Sequence, residues 1–281
     1  LSLLLITALV SQHFYAADGR LLRFGLGVSR TELPLRASQR IASLGVKRVW
    51  CDYNSSSTVH FFGAGCRVPV LTNTWAYPPE VMSEVLHAAA NRPPYLLMPL
   101  LDRHGVDAVL LQIDNGTAPA ALQLQYDSGW ALVQLDAIHG LWLRRSRLGQ
   151  TPEITAVGLD VQAFRRRIEA LDPRPAEALD LAAGTLQQLG WYDPAIELLT
   201  EVVKEHPRHV RLRHKLAVAL ASRGLERELA HDHRGRADWR RAIAEFRAVL
   251  EMDPDHNAAR QNLEKVSEEL QAAESRRPAP R

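Results

Sequence analysis

Cysteine is scarce in this chain: Cys51 and Cys66 are the only two in 281 residues, too few for a disulfide framework. They flank a short βα-like stretch and could pair outside the cytoplasm, or stay apart. Methionine occurs only at 82, 98 and 252, so none is an initiator. Aromatic residues make up 6% of the chain and the formal net charge is just +2. With no basic stripe, a nucleic-acid surface is not expected. No apolar run reaches the ~20 residues that a membrane helix needs. Glycine-rich phosphate loops, zinc-protease helices and nucleophile elbows are missing as well. Phe24-Gly-Leu-Gly-Val28 lacks the third glycine of a dinucleotide fingerprint. His231-Asp232-His233, with His206 or His209, matches no metal-ligand spacing and is explained by a solvated polar insert. No catalytic residue, metal ligand or cofactor can therefore be named.

What the chain does contain is a repeat. Residues 174–207 carry small residues at Ala183 and Ala195, large apolar ones at Leu186 and Leu199, an aromatic at Tyr192 and a closing Pro207. That spacing is the signature of the ~34-residue tetratricopeptide repeat, a helix–turn–helix unit. Small residues let the paired helices approach, large ones fill the gap, and proline stops the second helix. A second unit begins at Val210 with Leu216, Ala217, Leu220 and Gly224. It resumes at Trp239, Ala242, Phe246 and Pro254 after 13 extra residues, Leu225–Ala237, at the inter-helix turn. Glu226–Ala230 extends the first helix before His231–Gly235 breaks it. Asn257–Leu270 then reads as a capping helix with Leu263, Val266 and Leu270 on one side. Such repeats grip protein or peptide partners in a groove. Arg211, Arg213, His214 and Lys215 cluster on the second unit, where they suit an acidic partner or simply form a solvated helix face.

Charge density marks a boundary. Residues 1–150 hold 13 basic and 10 acidic side chains, against 21 and 22 in residues 151–281. The break falls at the turn signal Leu148-Gly-Gln-Thr-Pro-Glu-Ile154. The organisation expected is the end of a membrane helix over 1–17, an α/β domain over 18–150, a linker helix over 151–170, repeats with a cap over 171–270 and a disordered tail over 271–281. Within the α/β part, strands are expected at Val46–Cys51, Arg67–Thr72 and Asp107–Ile113, and a final hairpin at Trp130–Asp136 and Ile138–Leu143. Helices are expected at Ala37–Ser43, Ser56–Phe62, Pro79–Ala90 and Tyr95–His104. Alternating βα units predict a mainly parallel sheet with a C-terminal hairpin at its antiparallel edge, followed by an all-α repeat array.

Leu1–Val10 is apolar apart from Ser2 and Thr7. It fits the last part of a membrane helix, a secretory signal cleaved near Ala16-Ala17, or a buried soluble helix. The order of Phe24–Ser29, Cys51–Phe62, Val68–Glu80, Gly105–Leu110 and the Trp130–Arg145 hairpin resembles the soluble C-terminal region of bacterial polytopic membrane glycosyltransferase-like proteins, the class related to protein O-mannosyltransferases. Tetratricopeptide repeats follow that region in some of them. The resemblance implies a membrane-anchored protein whose soluble part is periplasmic or otherwise extracytoplasmic. It also implies that the catalytic acidic residue and lipid-linked sugar site belong to an earlier loop with no counterpart here.

A ligand site of the α/β part itself is expected where strands end. Asp52, Asn54, Ser55 and Ser56 combine a carboxylate with hydroxyls at a helix start, which either holds an anion or caps the helix. Asn73, Trp75 and Tyr77 follow the second strand and offer an amide and two stacking rings for a sugar. The leading expectation is a non-catalytic, partner-binding C-terminal portion of a membrane glycosyltransferase-like protein. The rival is a sugar- or nucleotide-binding enzyme domain over 36–145 with accessory repeats.

Overall fold

The computed structural model describes residues 33–46, 48–52, 55, 58–59, 83, 87–88, 96–114, 116–171 and 175–275. Expectations for the N-terminal segment, the Arg67–Thr72 strand, Asn54, Ser56, Cys66, Asn73, Trp75, Tyr77 and the 276–281 tail lie outside these residues. Among the described residues, no helix is long and apolar enough to cross a membrane.

Helix α1 (Leu35–Ser43) buries Ala37, Ser38 and Ile41, one face of a 3.6-residue period. Gly45 ends it in the left-handed region at φ 60°, which a side chain resists. The chain then enters β1 (Val49–Cys51). Helix α2 (Leu97–Arg103) stops in the same way at Gly105, φ 56°, and leads into β2 (Ala108–Gln112). Helix α3 (Ala118–Tyr126) precedes the hairpin β3 (Trp130–Leu135) and β4 (His139–Arg144).

The four strands lie in the order β1-β2-β4-β3. Only β1 and β2 are parallel, with Trp50 opposite Val109; β4 runs antiparallel to both β2 and β3. The sheet is thus mixed and mostly antiparallel, which corrects the expected mainly parallel arrangement. The hairpin is not an edge appendage, because β4 sits at the centre beside β2. The cause lies in burial. All four strands are covered on both faces, so their sequences are continuous apolar runs that carry no information on direction. Val49, Cys51, Leu110, Leu141 and Leu143 face α1 and its surroundings. Trp50, Val109, Leu132 and Trp142 face the other way, into a second core.

That second core runs without a break into the helical half. Helix α4 (Val161–Glu169), capped by the Asp160 carboxylate on the Ala163 N–H at 2.8 Å, contributes Phe164 and Ile168. Helices α5 (Pro175–Gln188), α6 (Tyr192–Glu205), α7 (Val210–Leu229), α8 (Gly235–Met252) and α9 (Asn257–Ser275) follow. Short connections, Leu189–Trp191 and His206–His209, fold each helix back on the previous one. Ala183, Leu186, Ala195, Leu199, Ala217, Leu220, Ala242 and Phe246 are all buried in the seams. The extra residues lengthen α7 and α8, leaving Ala230–Arg234 as the connection, with His231 at φ 59°. Gly224 and Gly235 face each other at the base of that extension, and a Cβ on Gly224 would lie 2.5 Å from the Trp239 ring.

The two halves are also joined by polar bonds at the hairpin tip. The buried Thr185 hydroxyl donates to the Ala137 carbonyl at 2.8 Å, and the Arg167 guanidinium donates to the Leu135 carbonyl at 2.8 Å.

Candidate functional site

The strand-end site is occupied by its own residues. Asp52 follows β1 and is nearly buried. Its Oδ1 accepts the Ser55 backbone N–H at 3.0 Å. Its Oδ2 accepts the Ser55 hydroxyl at 2.8 Å and the Gln112 backbone N–H at 2.7 Å. A carboxylate held this way caps the segment after β1 and ties it to β2. Asp52 and Ser55 are therefore brought together, but as a staple between elements.

Two buried titratable groups lie nearby, on β4 and its turn. His139 pairs with Gln112 across the sheet. Its Nδ1 has no hydrogen-bond partner, and burial pulls its pKa down to about 3, so the ring is neutral. Asp136 is raised by burial, against the hydrogen bond from the Gln134 amide (2.9 Å) and the charges of Arg167 and Arg36. Among the described residues, no three His, Cys, Asp or Glu side chains converge as a metal site.

The cationic cluster at the start of α7 is drawn into helix–helix contacts. Arg211 forms an ion pair with the fully buried Asp180 of α5. Lys215 reaches the same carboxylate at 3.0 Å and the Asp180 carbonyl at 2.6 Å. Burial lowers the Lys215 pKa, and the Asp180 charge works against that shift. Arg213 pairs with Glu245 of α8 at 2.6 Å. His214 stacks on His256 at 4.6 Å and tilts over Phe246 at 5.7 Å. Burial is the main reason its pKa is lowered, followed by His256 and Lys215. All four side chains thus link α7 to its neighbours.

The open feature lies one turn further along α7. A cavity of about 160 Å³ opens between α7, α8 and α9. Val218, Ala221, Leu225, Trp239, Phe246 and Val266 form its apolar lining; Ser222, Asn262, Lys265 and Glu269 supply polar groups. Trp239 is fixed by its indole N–H, which donates to the Ala221 carbonyl at 3.1 Å. Its ring lies against Gly224, where no side chain competes. Below this wall, Asp238 is buried and accepts from Arg223 Nε at 2.9 Å and Arg227 Nη1 at 2.7 Å. Arg223 also bonds Asp193 of α6 at 2.5 Å. The extended part of α7 is thereby clamped to α6 and α8. Such an apolar recess with a polar rim has the character of a site for a side chain or a short segment.

The sequence signal for this cavity is a second apolar face on α7. Leu212, Leu216, Leu220 and Gly224 fill the buried stripe, while Val218, Ala221 and Leu225 repeat at i, i+3 and i+7 beside it. An amphipathic helix that needed only one covered face would be polar there. No protein-family model matches the chain, and no curated protein matches it significantly.

Proposed function

We propose that this chain is a partner-binding module. Its tetratricopeptide-type repeats, seated on a small α/β sheet, form the non-catalytic C-terminal portion of a membrane glycosyltransferase-like protein. The observation that carries the binding role is the cavity between α7, α8 and α9, with its apolar floor and fixed Trp239. Helix pairs that bury alanines and leucines in register support the repeat reading. The parentage rests on the order of segments in the sequence. Reading the gene upstream of Leu1 tests it: polytopic helices with an acidic residue in an early loop support it, and a start codon directly before a soluble domain refutes it.

Peptide display against the full chain tests the binding role, with Leu225→Ser as the counter-variant. Leu225 is 44% exposed, so the change leaves folding intact, as a thermal melt verifies. Loss of an apolar contact of ~1.5 kcal/mol weakens a groove ligand about tenfold. Enriched peptides that bind both proteins equally, or no enrichment at all, refute the role.

A further inference from the structure

The cavity continues into a longer surface that the helical array does not build alone. Leu225 lines the cavity, and Leu229 lies one turn beyond it on the same face of α7, 74% exposed. Both belong to the extra residues that separate this unit from its predecessor. Ser222 of the cavity wall lies close to the half-buried Tyr192, whose hydroxyl pKa is raised by burial and lowered in part by Ser222. Glu226 also lies near Tyr192 and raises its pKa through its negative charge. Tyr126 ends α3, in the sheet half of the molecule, and is 78% exposed. Its hydroxyl lies 3.7 Å from where a Cβ on Gly190 would stand, so it reaches across to the α5–α6 turn. One strip thus runs from Tyr126 past Tyr192 and Ser222 to the cavity and out to Leu229.

The charges along this strip have one prevailing sign. Glu226 and Glu269 are exposed and form no ion pair among the described residues; Lys265 is the one cation of the cavity lining. The nearby cations of α7 are neutralised by Asp180, Glu245, Asp193 and Asp238. An apolar floor with unneutralised carboxylates at its edge complements a segment with an apolar stripe and a basic flank. The same carboxylates repel anionic lipid headgroups.

Resting on the partner-binding reading above, we infer that the strip from Tyr126 to Leu229 docks a basic amphipathic helix of a protein partner, with the sheet half supplying one end of the site through Tyr126. The cavity takes an apolar anchor from the ligand. Leu229 covers a second apolar position, and the Tyr126 ring packs against the basic side chains at the far end.

Two designed helical peptides test this, each with the same leucine stripe, one flanked by lysines and the other by glutamates. They are titrated into the full chain by fluorescence anisotropy at low ionic strength. The lysine peptide binds at least tenfold more tightly, and its advantage shrinks with added salt. Glu226→Gln with Glu269→Gln removes most of that preference, while Leu229→Ser and Tyr126→Ala each weaken the lysine peptide several-fold. All of these side chains are exposed, so the variants retain the parent melting temperature. Equal binding of both peptides, or indifference to Tyr126→Ala and Leu229→Ser while Leu225→Ser still matters, overturns the inference and leaves the groove reading standing. No Leu225-sensitive binding of either peptide overturns both. Sedimentation with anionic phospholipid vesicles instead of peptide binding also overturns it.

Discussion

Replacing Asp238 with alanine isolates the clamp that holds the α7–α8 extension. Its carboxylate is 5% exposed and receives two guanidiniums, from Arg223 at 2.5 Å and from Arg227 at 2.7 Å. Arg223 is only 13% exposed, and its one other acidic partner, Asp193, is shared with Arg227 at 3.5 Å. Removing Asp238 leaves two cations in a partly dry site. Loss of one member of a buried ion pair costs about 3–5 kcal/mol, because the charges left behind are poorly compensated, here only by the exposed Asp193. Asp193 provides the control, since it bonds the same Arg223 but is 72% exposed. Asp193→Ala therefore costs only about 0–1 kcal/mol. Urea denaturation followed by far-ultraviolet circular dichroism measures both, and the midpoint of Asp238→Ala falls well below that of Asp193→Ala. In a thermal melt, 3–5 kcal/mol corresponds to a drop of roughly 6–20 °C for a protein of this size. Equal, small losses for the two variants would refute the claim that burial sets the strength of this network. A double variant that also replaces Arg223 recovers part of the loss if the stranded charge is its source.

Gly140→Ala places a methyl 2.5 Å from the Trp142 ring and 3.1 Å from Ile113. The ring is fully buried and cannot move aside, so overpacking costs about 1–3 kcal/mol in the same urea assay; a change below ~0.5 kcal/mol contradicts the packing described. His139 makes stability depend on pH. Its folded pKa of about 3 lies below its ordinary unfolded value, so the unfolded chain binds the proton first. The His139 contribution is fully present above pH ~6.5 and falls by about 1.4 kcal/mol per unit as pH drops towards the folded value, or ~2 kcal/mol at pH 5. Asp136, whose pKa is raised by burial, acts in the opposite sense nearer its own range. His139→Asn flattens the profile between pH 7 and 5, and an unchanged slope in that variant would show that another group is responsible.

The helical half was more legible in the sequence than the sheet. Its spacing of alanines and leucines marks which residues touch across a seam, and those residues are buried. Strand direction was not legible. β4 reads His-Gly-Leu-Trp-Leu-Arg, apolar on both faces, and such a run fits a parallel or an antiparallel place in a covered sheet. Helix α3 was hidden for a related reason: its alanines, leucines and glutamines show little segregation into two faces. The strand-end residues were legible as chemistry but not as partners. Asp52 reads as a free carboxylate until Gln112, sixty positions away, is brought against it. Arg211, Arg213 and Lys215 likewise read as a surface patch, because Asp180 and Glu245 are far off in sequence. The cavity escaped because Val218, Ala221 and Leu225 have the composition of core residues; only their position beside an already complete core stripe sets them apart.

The bond from the Thr185 hydroxyl to the Ala137 carbonyl fuses α5 to a hairpin tip. Helix α5 shares one apolar core with α4 and the sheet, so severing the chain between them would bare buried residues of that core, Phe164, Ile168 and Trp142 among them, to water. The helical array is therefore not a part that can be lifted out intact: produced without the sheet, it would carry an uncovered apolar end.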